Sequence, residues 1–195
     1  MFGKSDYLLC LFLLIATVGC AAKLHMDVPL VWKPTNDTYV IVTSNLANLY
    51  SKKLSIKSFT DKRDNIFEIG MYVEDDKNLA VTTKDNVAIW YTEKFKAIFH
   101  QYGLNIVESN PDVILNGEIL HLYVTEDKLY NASAGLKITA LDPAGNILWQ
   151  GVTSGTAKRF GRSYKLENYY ESLSDAYLEA VQGLLKDNGF IKALN

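Results

Sequence analysis

The chain has 195 residues, 20 Lys and Arg against 22 Asp and Glu, a formal net charge of −2, and 48% hydrophobic residues. The near-neutral balance, with both signs interspersed, gives no argument for nucleic-acid binding, which requires a basic face or stripe. The length beyond the first 19 residues suits one domain with one buried core, and the chain carries neither a low-complexity stretch nor an evident repeat.

In chain order, the first feature is a short charged start, Met1–Asp6, followed by an apolar run from Tyr7 to Val18 and then Gly19-Cys20-Ala21-Ala22. A membrane-spanning helix needs ~20 apolar residues; this run is shorter and has the length of a signal-peptide h-region. A small residue directly before a cysteine resembles a bacterial lipoprotein signal. On that reading residues 1–19 are removed and Cys20 becomes an acylated mature N-terminus. Thr17 stands where such signals usually carry Leu, and Asp6 offsets Lys4, so ordinary cleavage near Gly19 or Ala22 is the alternative. Cys10 and Cys20 are the only cysteines, and Cys10 would leave with the signal, so the mature body is expected to fold without a disulfide. Two or more acyl chains, at ~0.8 kcal/mol per buried CH₂, give a stable anchor where one gives marginal binding.

Residues 20–50 read as the lipidated cysteine plus an N-terminal tether or extended arm. Pro29 and Pro34 interrupt it, Lys33–Asp37 reads as a turn, and Tyr39–Thr43 has strand composition. Residues 51–195 are expected to form a single globular domain. Leu54–Phe59 reads as its first core strand, Asp61–Asn65 as a charged turn, and Ile69–Val73 as a short second piece. A helix is predicted from Asn86 to Tyr102, with Asp85 as N-cap and Gly103 as the terminating glycine. Val87, Tyr91, Phe95, Ile98 and Tyr102 share its apolar face, and Ile89 and Trp90 fall on its flank. A meander follows: Leu104–Val107, then Val113–Val124, Leu136–Ala140 and Ile147–Ala157, with Asp142–Asn146 as a strong turn. In the long strand, Val113, Leu115, Gly117, Ile119 and His121 lie on one face. The other face begins polar with Asn116 and Glu118 and turns apolar at Leu120, Leu122 and Val124. The last helix is predicted over Tyr169–Lys186, with Asn168 and Glu171 as a capping box and Asn188-Gly189 closing it. The fold class is therefore α+β, a mainly antiparallel sheet with two helices packed on one face, in the order strand, helix, β-meander, helix.

From Leu54 onward the chain resembles the YajG-type bacterial lipoprotein family. The resemblance rests on the strand ending in Phe59-Thr60-Asp61-Lys62-Arg63 with a later Ile69-Gly70, the helix entered at Asp85-Asn86 and closed by Tyr102-Gly103, the long meander with a Gly-Asn hairpin, the C-terminal helix and the lipobox-like start. It implies a membrane-tethered periplasmic domain without established catalytic residues. The segment 21–50 is longer than that family's usual tether. The layout is also loosely similar to other periplasmic auxiliary lipoproteins, including those serving lipid transport, a likeness of fold that does not fix function.

The chemistry-bearing residues give no catalytic set. His25, His100 and His121 have no metal-site spacing, no HExxH is present, and Gly151–Gly155 carries its Ser one place late for a nucleophile elbow. Glu118 and His121 are offset by three along one strand and so point to opposite faces. Asp61 and Arg63 suit a turn-end ion pair. No cofactor, metal or catalytic residue is therefore expected. The most suggestive surface feature is Lys158, Arg159, Phe160, Arg162, Tyr164 and Lys165: four cations and two aromatics in eight residues with no acid among them. Such a segment suits lipid headgroups or an acidic protein face; otherwise it is a solvated connection. The expected function is a non-enzymatic binding or accessory module of the cell envelope. It would be anchored to the outer membrane with its domain in the periplasm, and its partners would be the membrane and another envelope protein or lipid. The alternatives are an envelope hydrolase or a lipid-carrying transport accessory lipoprotein.

Overall fold

A strand of 14 residues, Val113–Glu126, organises the sheet. The computed structural model describes residues 25–35, 46–47, 49–74, 77–161 and 164–194. The expected signal peptide, Cys20, the Tyr39–Thr43 strand and Arg162 lie outside them. The strands are β1 (His25–Asp27), β2 (Lys53–Ile56), β3 (Thr60–Asp61), β4 (Glu68–Glu74), β5 (Lys77–Thr82), β6 (Asn105–Ile106), β7 (Val113–Glu126), β8 (Tyr130–Leu141) and β9 (Ile147–Arg159), and the helices are α1 (Val87–Gln101), α2 (Leu166–Lys186) and α3 (Asn188–Ala193). Among the described residues no helix is long and apolar enough to cross a membrane.

One edge of β7 pairs antiparallel with β8 along nearly its whole length, from Ile114↔Leu141 to Glu126↔Tyr130. The other edge takes three short parallel strands in succession: β2 opposite Val113–Leu115, β3 opposite Glu118 and Ile119, and β4 opposite Val124–Glu126. β5 pairs antiparallel with β4 and carries β1, parallel, on its far side. β9 closes the opposite edge against β8. The sheet is mixed, and its long pairings are the antiparallel ones, as the meander predicts. Both long helices pack against the sheet, giving the expected α+β class.

The alternation in β7 changes phase in mid-strand. Val113, Leu115, Gly117 and Ile119 are buried, and then Leu122, Val124 and Glu126 are. The register shifts between Ile119 and His121, so Leu120 is the extra residue of a bulge and re-aims every side chain after it. His121, expected on the inward face with Ile119, is therefore turned outward, where its Nε2 lies 2.7 Å from Ser133 Oγ.

Helix ends follow the same local chemistry with shifted residues. Asn86, not Asp85, caps α1, its Oδ1 accepting the Ile89 N–H at 3.0 Å. Asp85 instead accepts the Leu30 N–H at 2.7 Å. Gly103 ends α1 with φ +73°, as predicted. α2 begins at Leu166, so Asn168 and Glu171 fall inside its first turns, buried, and form no capping box. Asn188-Gly189 opens α3 instead of only closing α2, because Asp187 accepts the Phe190 N–H at 2.8 Å as that helix's cap.

Residues 25–35 of the arm lie against the domain. Val28 and Leu30 are buried, and Val28 N–H bonds Thr82 O at 2.8 Å. The ring of Trp32 meets Trp90 edge-on at 5.7 Å and Tyr177 at 6.1 Å. Trp90, a flank residue by periodicity, is thereby buried, while Ile89 stays exposed. Behind this contact Tyr91 and Tyr177 pack at 4.2 Å, the Tyr177 hydroxyl donates to Tyr91 O at 2.7 Å, and the Tyr91 hydroxyl donates to His121 O at 2.9 Å. These bonds lock α2 to α1 and α1 to the bulge.

α2 approaches β9 at Gly155, where a Cβ would stand 2.2 Å from Ala176 O and 2.4 Å from Ala180 N, both backbone atoms that cannot swing away. Gly155→Ala is expected to lower the melting temperature by separating α2 from the sheet. Leu173→Ala, within the buried face of α2, is expected to cost ~2–5 kcal/mol. Lys96→Ala removes only an exposed pair to Glu108 at 3.4 Å and should leave thermal unfolding unchanged. An unaltered transition for Leu173→Ala would contradict this packing.

Candidate interaction surface at the end of β9

Lys158 and Arg159 belong to β9, paired with Asn131 and Tyr130, so the cationic segment begins as a strand. Strand alternation separates the two. Lys158 is exposed, whereas Arg159 turns toward α2, where its guanidinium pairs with Glu171 and its Nε donates to Asn168 Oδ1 at 3.3 Å. Glu171 is buried and also accepts Lys33 Nζ, from the arm, at 2.8 Å. Lys33 pairs with Glu167 as well, and Lys165 meets the other Glu167 oxygen at 2.7 Å. The segment contains no acid, but the first turns of α2 place two beside it. Lys165 and Lys33 hold the Glu167 carboxyl well down, at about 2.

A second buried carboxylate fixes the connection itself. Glu126, the last residue of β7, accepts a short hydrogen bond from the Tyr169 hydroxyl and another from the Tyr164 N–H at 3.1 Å. The latter helps hold Tyr164 in left-handed backbone, φ +59°, a conformation costly for an aromatic residue. The Tyr164 ring rests 4.2 Å from that of Tyr72 on β4. Tyr130 and Tyr169 meet edge-on at 4.9 Å, and burial raises both hydroxyls, Tyr130 to about 12. Both phenols therefore stay neutral at physiological pH. Gly161 passes so close to Asn168 that a Cβ would lie 2.2 Å from its Nδ2.

Four large apolar side chains of the corner face outward beside the exposed Lys158 and Lys165. Phe160 is 84% exposed and Tyr164 51%. Leu129, in the turn before Tyr130, and Leu166, at the start of α2, are also exposed. Of the sequence-predicted cations, Arg159 and Lys165 are engaged with acids of α2. Lys158 lines an open groove of about 510 Å³ together with Asp175 and Glu179. The residues that sequence reasoning missed are Glu126, Glu167 and Glu171. The sequence signal for Glu126 is an acid ending an apolar alternation; Glu171, by its spacing from Asn168, resembles a capping residue.

The other polar groups singled out in the sequence sit apart from this corner. Arg63, almost wholly buried, chelates Asp61 through Nη2 at 2.7 Å and Nε at 2.9 Å and donates to Glu68 O and Ile66 O, so it clamps the β3–β4 connection. Glu118 pairs with Lys137 at 3.4 Å, and His121 with Ser133, so the two share no site. Burial and the nearby Arg63 charge lower the His121 pKa. Among the described residues no group of three or more His, Cys, Asp or Glu is placed to hold a metal.

No family model matches the chain, and no curated protein matches it by sequence. Among solved structures, it is similar to protein XCC0632 from Xanthomonas campestris, of family-model DUF330, with a TM-score of 0.57 at 11% identity, over 87% of this chain and 99% of that one. Weaker likenesses include a minor lipoprotein from Acinetobacter baumannii, TM-score 0.43, 10% identity, over 71% of this chain and 92% of that one. Lipoprotein GNA1162 from Neisseria meningitidis gives a TM-score of 0.39 at 9% identity, over 60% of this chain and 90% of that one. At these identities the first likeness shows a shared fold.

The Glu167 pairs predict an acid limb in the stability profile. A carboxyl held at about 2 against its ordinary 4.5 contributes stability that is full above pH 4.5 and lost as pH falls through about 2. Glu167→Gln should flatten the fall of stability across that window in acid titrations of thermal unfolding. An unchanged acid limb would mean that these exposed pairs are screened out by solvent.

Proposed function

We propose that the chain is a lipid-anchored, non-enzymatic accessory domain of the bacterial cell envelope, of the kind that the YajG-type resemblance implies, which binds another envelope component at its surface. The observation that carries this reading is the shortness of the link between Cys20 and the fold. The first strand starts at His25, five residues after the cysteine, so an acylated Cys20 would hold the folded body directly at the bilayer. Ala21, in place of the Asp that retains familiar lipoproteins in the inner membrane, favours the outer membrane, with the body in the periplasm.

The side chains support binding over catalysis. Arg63 and Asp61 clamp a connection, Glu126 and Glu171 tie α2 to the sheet, and His121 bonds a serine on the neighbouring strand. The space between sheet and helices holds packed rings, with Phe95 and Phe99 stacked at 4.2 Å and Phe59 against Phe95 at 5.1 Å, which favours recognition at the surface over carriage of a lipid inside.

Metabolic labelling with a fatty acid is expected to mark the wild-type chain and not Cys20→Ala, and fractionation should place the label in outer membranes. In-cell crosslinking should then recover the same envelope component with both forms, less efficiently with Cys20→Ala because the anchor raises local concentration. Equal labelling of the two forms would remove the anchor. Recovery of the label in inner membranes alone would reject the assigned membrane.

A further inference from the structure

We infer that the end of the sheet bearing Leu129, Phe160, Tyr164 and Leu166 faces the bilayer, and that these side chains enter its interfacial region. The inference rests on the anchor proposed above and adds an orientation to it.

Strand direction is the first observation. β1 runs parallel to β5, and His25 pairs with Ala80. Ala80 pairs with Met71, Met71 with Thr125, Thr125 with Asn131 and Asn131 with Lys158. His25 and Lys158 therefore stand on one row across the sheet. That row is one residue short of the row of Tyr72, Glu126, Tyr130 and Arg159, in which β7 and β9 end and β8 begins. β1 runs away from this end, so the chain enters the fold from the side on which Phe160 projects.

Reach is the second. Five residues span at most about 17 Å, so Cys20 lies within that distance of His25. β1 and β9 are five strand spacings apart, roughly 24 Å. The connection after β9 shortens the gap, because Tyr164 folds back onto Tyr72 of β4, two strands from β1. A bilayer that holds Cys20 thus lies within reach of this end of the domain, while the Asp142–Asn146 turn lies at the other end of the β8–β9 hairpin.

The exposed chemistry is the third. Phe160 is the most exposed large apolar side chain among the described residues. Leu129 and Phe160 each stand one residue beyond the Tyr130↔Arg159 pair, which makes them neighbours. Aromatic rings with one polar and one apolar side, such as Tyr164, favour the membrane–water interface. The charges at this end carry both signs: Lys165 pairs with Glu167, Asp127 adjoins Lys128, Lys158 shares its groove with Asp175 and Glu179, and the β4–β5 ladder ends on Glu74↔Lys77 with Asp75 and Asp76 between them in sequence. Apolar insertion, more than attraction to anionic headgroups, sets the contact, so it should survive high salt.

The test uses full-length chain purified from membranes and reconstituted into vesicles of phosphatidylethanolamine and phosphatidylglycerol. Cys20 acylation is verified by mass, and a nitroxide is placed at Phe160→Cys or, at the opposite end, Ala144→Cys; both positions are exposed and tolerant. The expected result is that the label at 160 becomes several-fold more accessible to oxygen than to a water-soluble nickel chelate, at low and at high salt, while the label at 144 keeps the opposite preference. An acylated, vesicle-bound chain whose 160 label stays aqueous overturns the orientation and leaves the anchor standing. A 160 label that becomes immobile but is reached by neither reagent marks a protein partner at this end and also overturns it. A chain with unmodified Cys20 that fails to float with vesicles overturns anchor and orientation together.

Discussion

The fold depends on β7 being paired along both edges. Its β8 edge is one antiparallel ladder broken only by the bulge at Leu120, and its other edge is assembled from β2, β3 and β4 laid end to end. β2 and β3, of four and two residues, are too short to hold a register alone, and β4 lies between β7 and β5. β7 supplies their hydrogen-bond partners, and the loops between them need only deliver each strand to the next stretch of β7. The bulge at Leu120 serves the same end. It keeps the apolar side chains under the helices on both sides of an extra residue and leaves His121 O where Tyr91 reaches it.

At the far end of β7 the logic changes from apolar packing to buried charge. Glu126 and Glu171 are both nearly inaccessible, and burying a carboxylate is tolerable only with partners. Those partners come from distant segments: Tyr164 and Tyr169 for Glu126, Arg159 and Lys33 for Glu171. The cost of leaving either carboxylate unpaired thus joins the arm, β9, the connecting segment and the start of α2 into one corner. Four large apolar side chains remain on its outside, while most of its charges already face one another.

The elements with strong periodicity were legible from sequence. The apolar face of α1, the Leu136–Ala140 alternation, the Asp142–Asn146 turn and the apolar face of α2 all stand where residue spacing puts them. β5 is hard to see in the sequence, although Leu79 and Val81 alternate as a strand should, because two inward residues on either side of a small Ala80 make a weak signal. The parallel pairing of β2, β3 and β4 was illegible for a different reason: nothing local in a strand of two to seven residues encodes which edge it joins. The phase change in β7 was visible as apolar residues migrating between faces, and only the pairing register identifies it as a bulge. At the corner the cations were legible and their partners were not, since Glu167 and Glu171 follow the segment in sequence but fold back beside it across the first turns of α2. Trp90 was misplaced on the helix surface because its cover, Trp32, comes from an arm 58 residues earlier in the chain.

Together these features describe a body with one end tied together and bearing exposed Leu129, Phe160, Tyr164 and Leu166, and the other a plain hairpin turn. A lipid on Cys20 would bring the first end to the bilayer and leave the open sheet face and the β9 edge for an envelope partner. The most direct test is hydrogen exchange compared between the Cys20→Ala chain free in detergent-free buffer and the acylated wild type bound to vesicles. The account predicts slowed exchange on vesicles at Asp127–Leu129 and Phe160–Leu166, with Asp142–Asn146 unchanged. Protection confined to Asp142–Asn146, or no difference at either end, would contradict it.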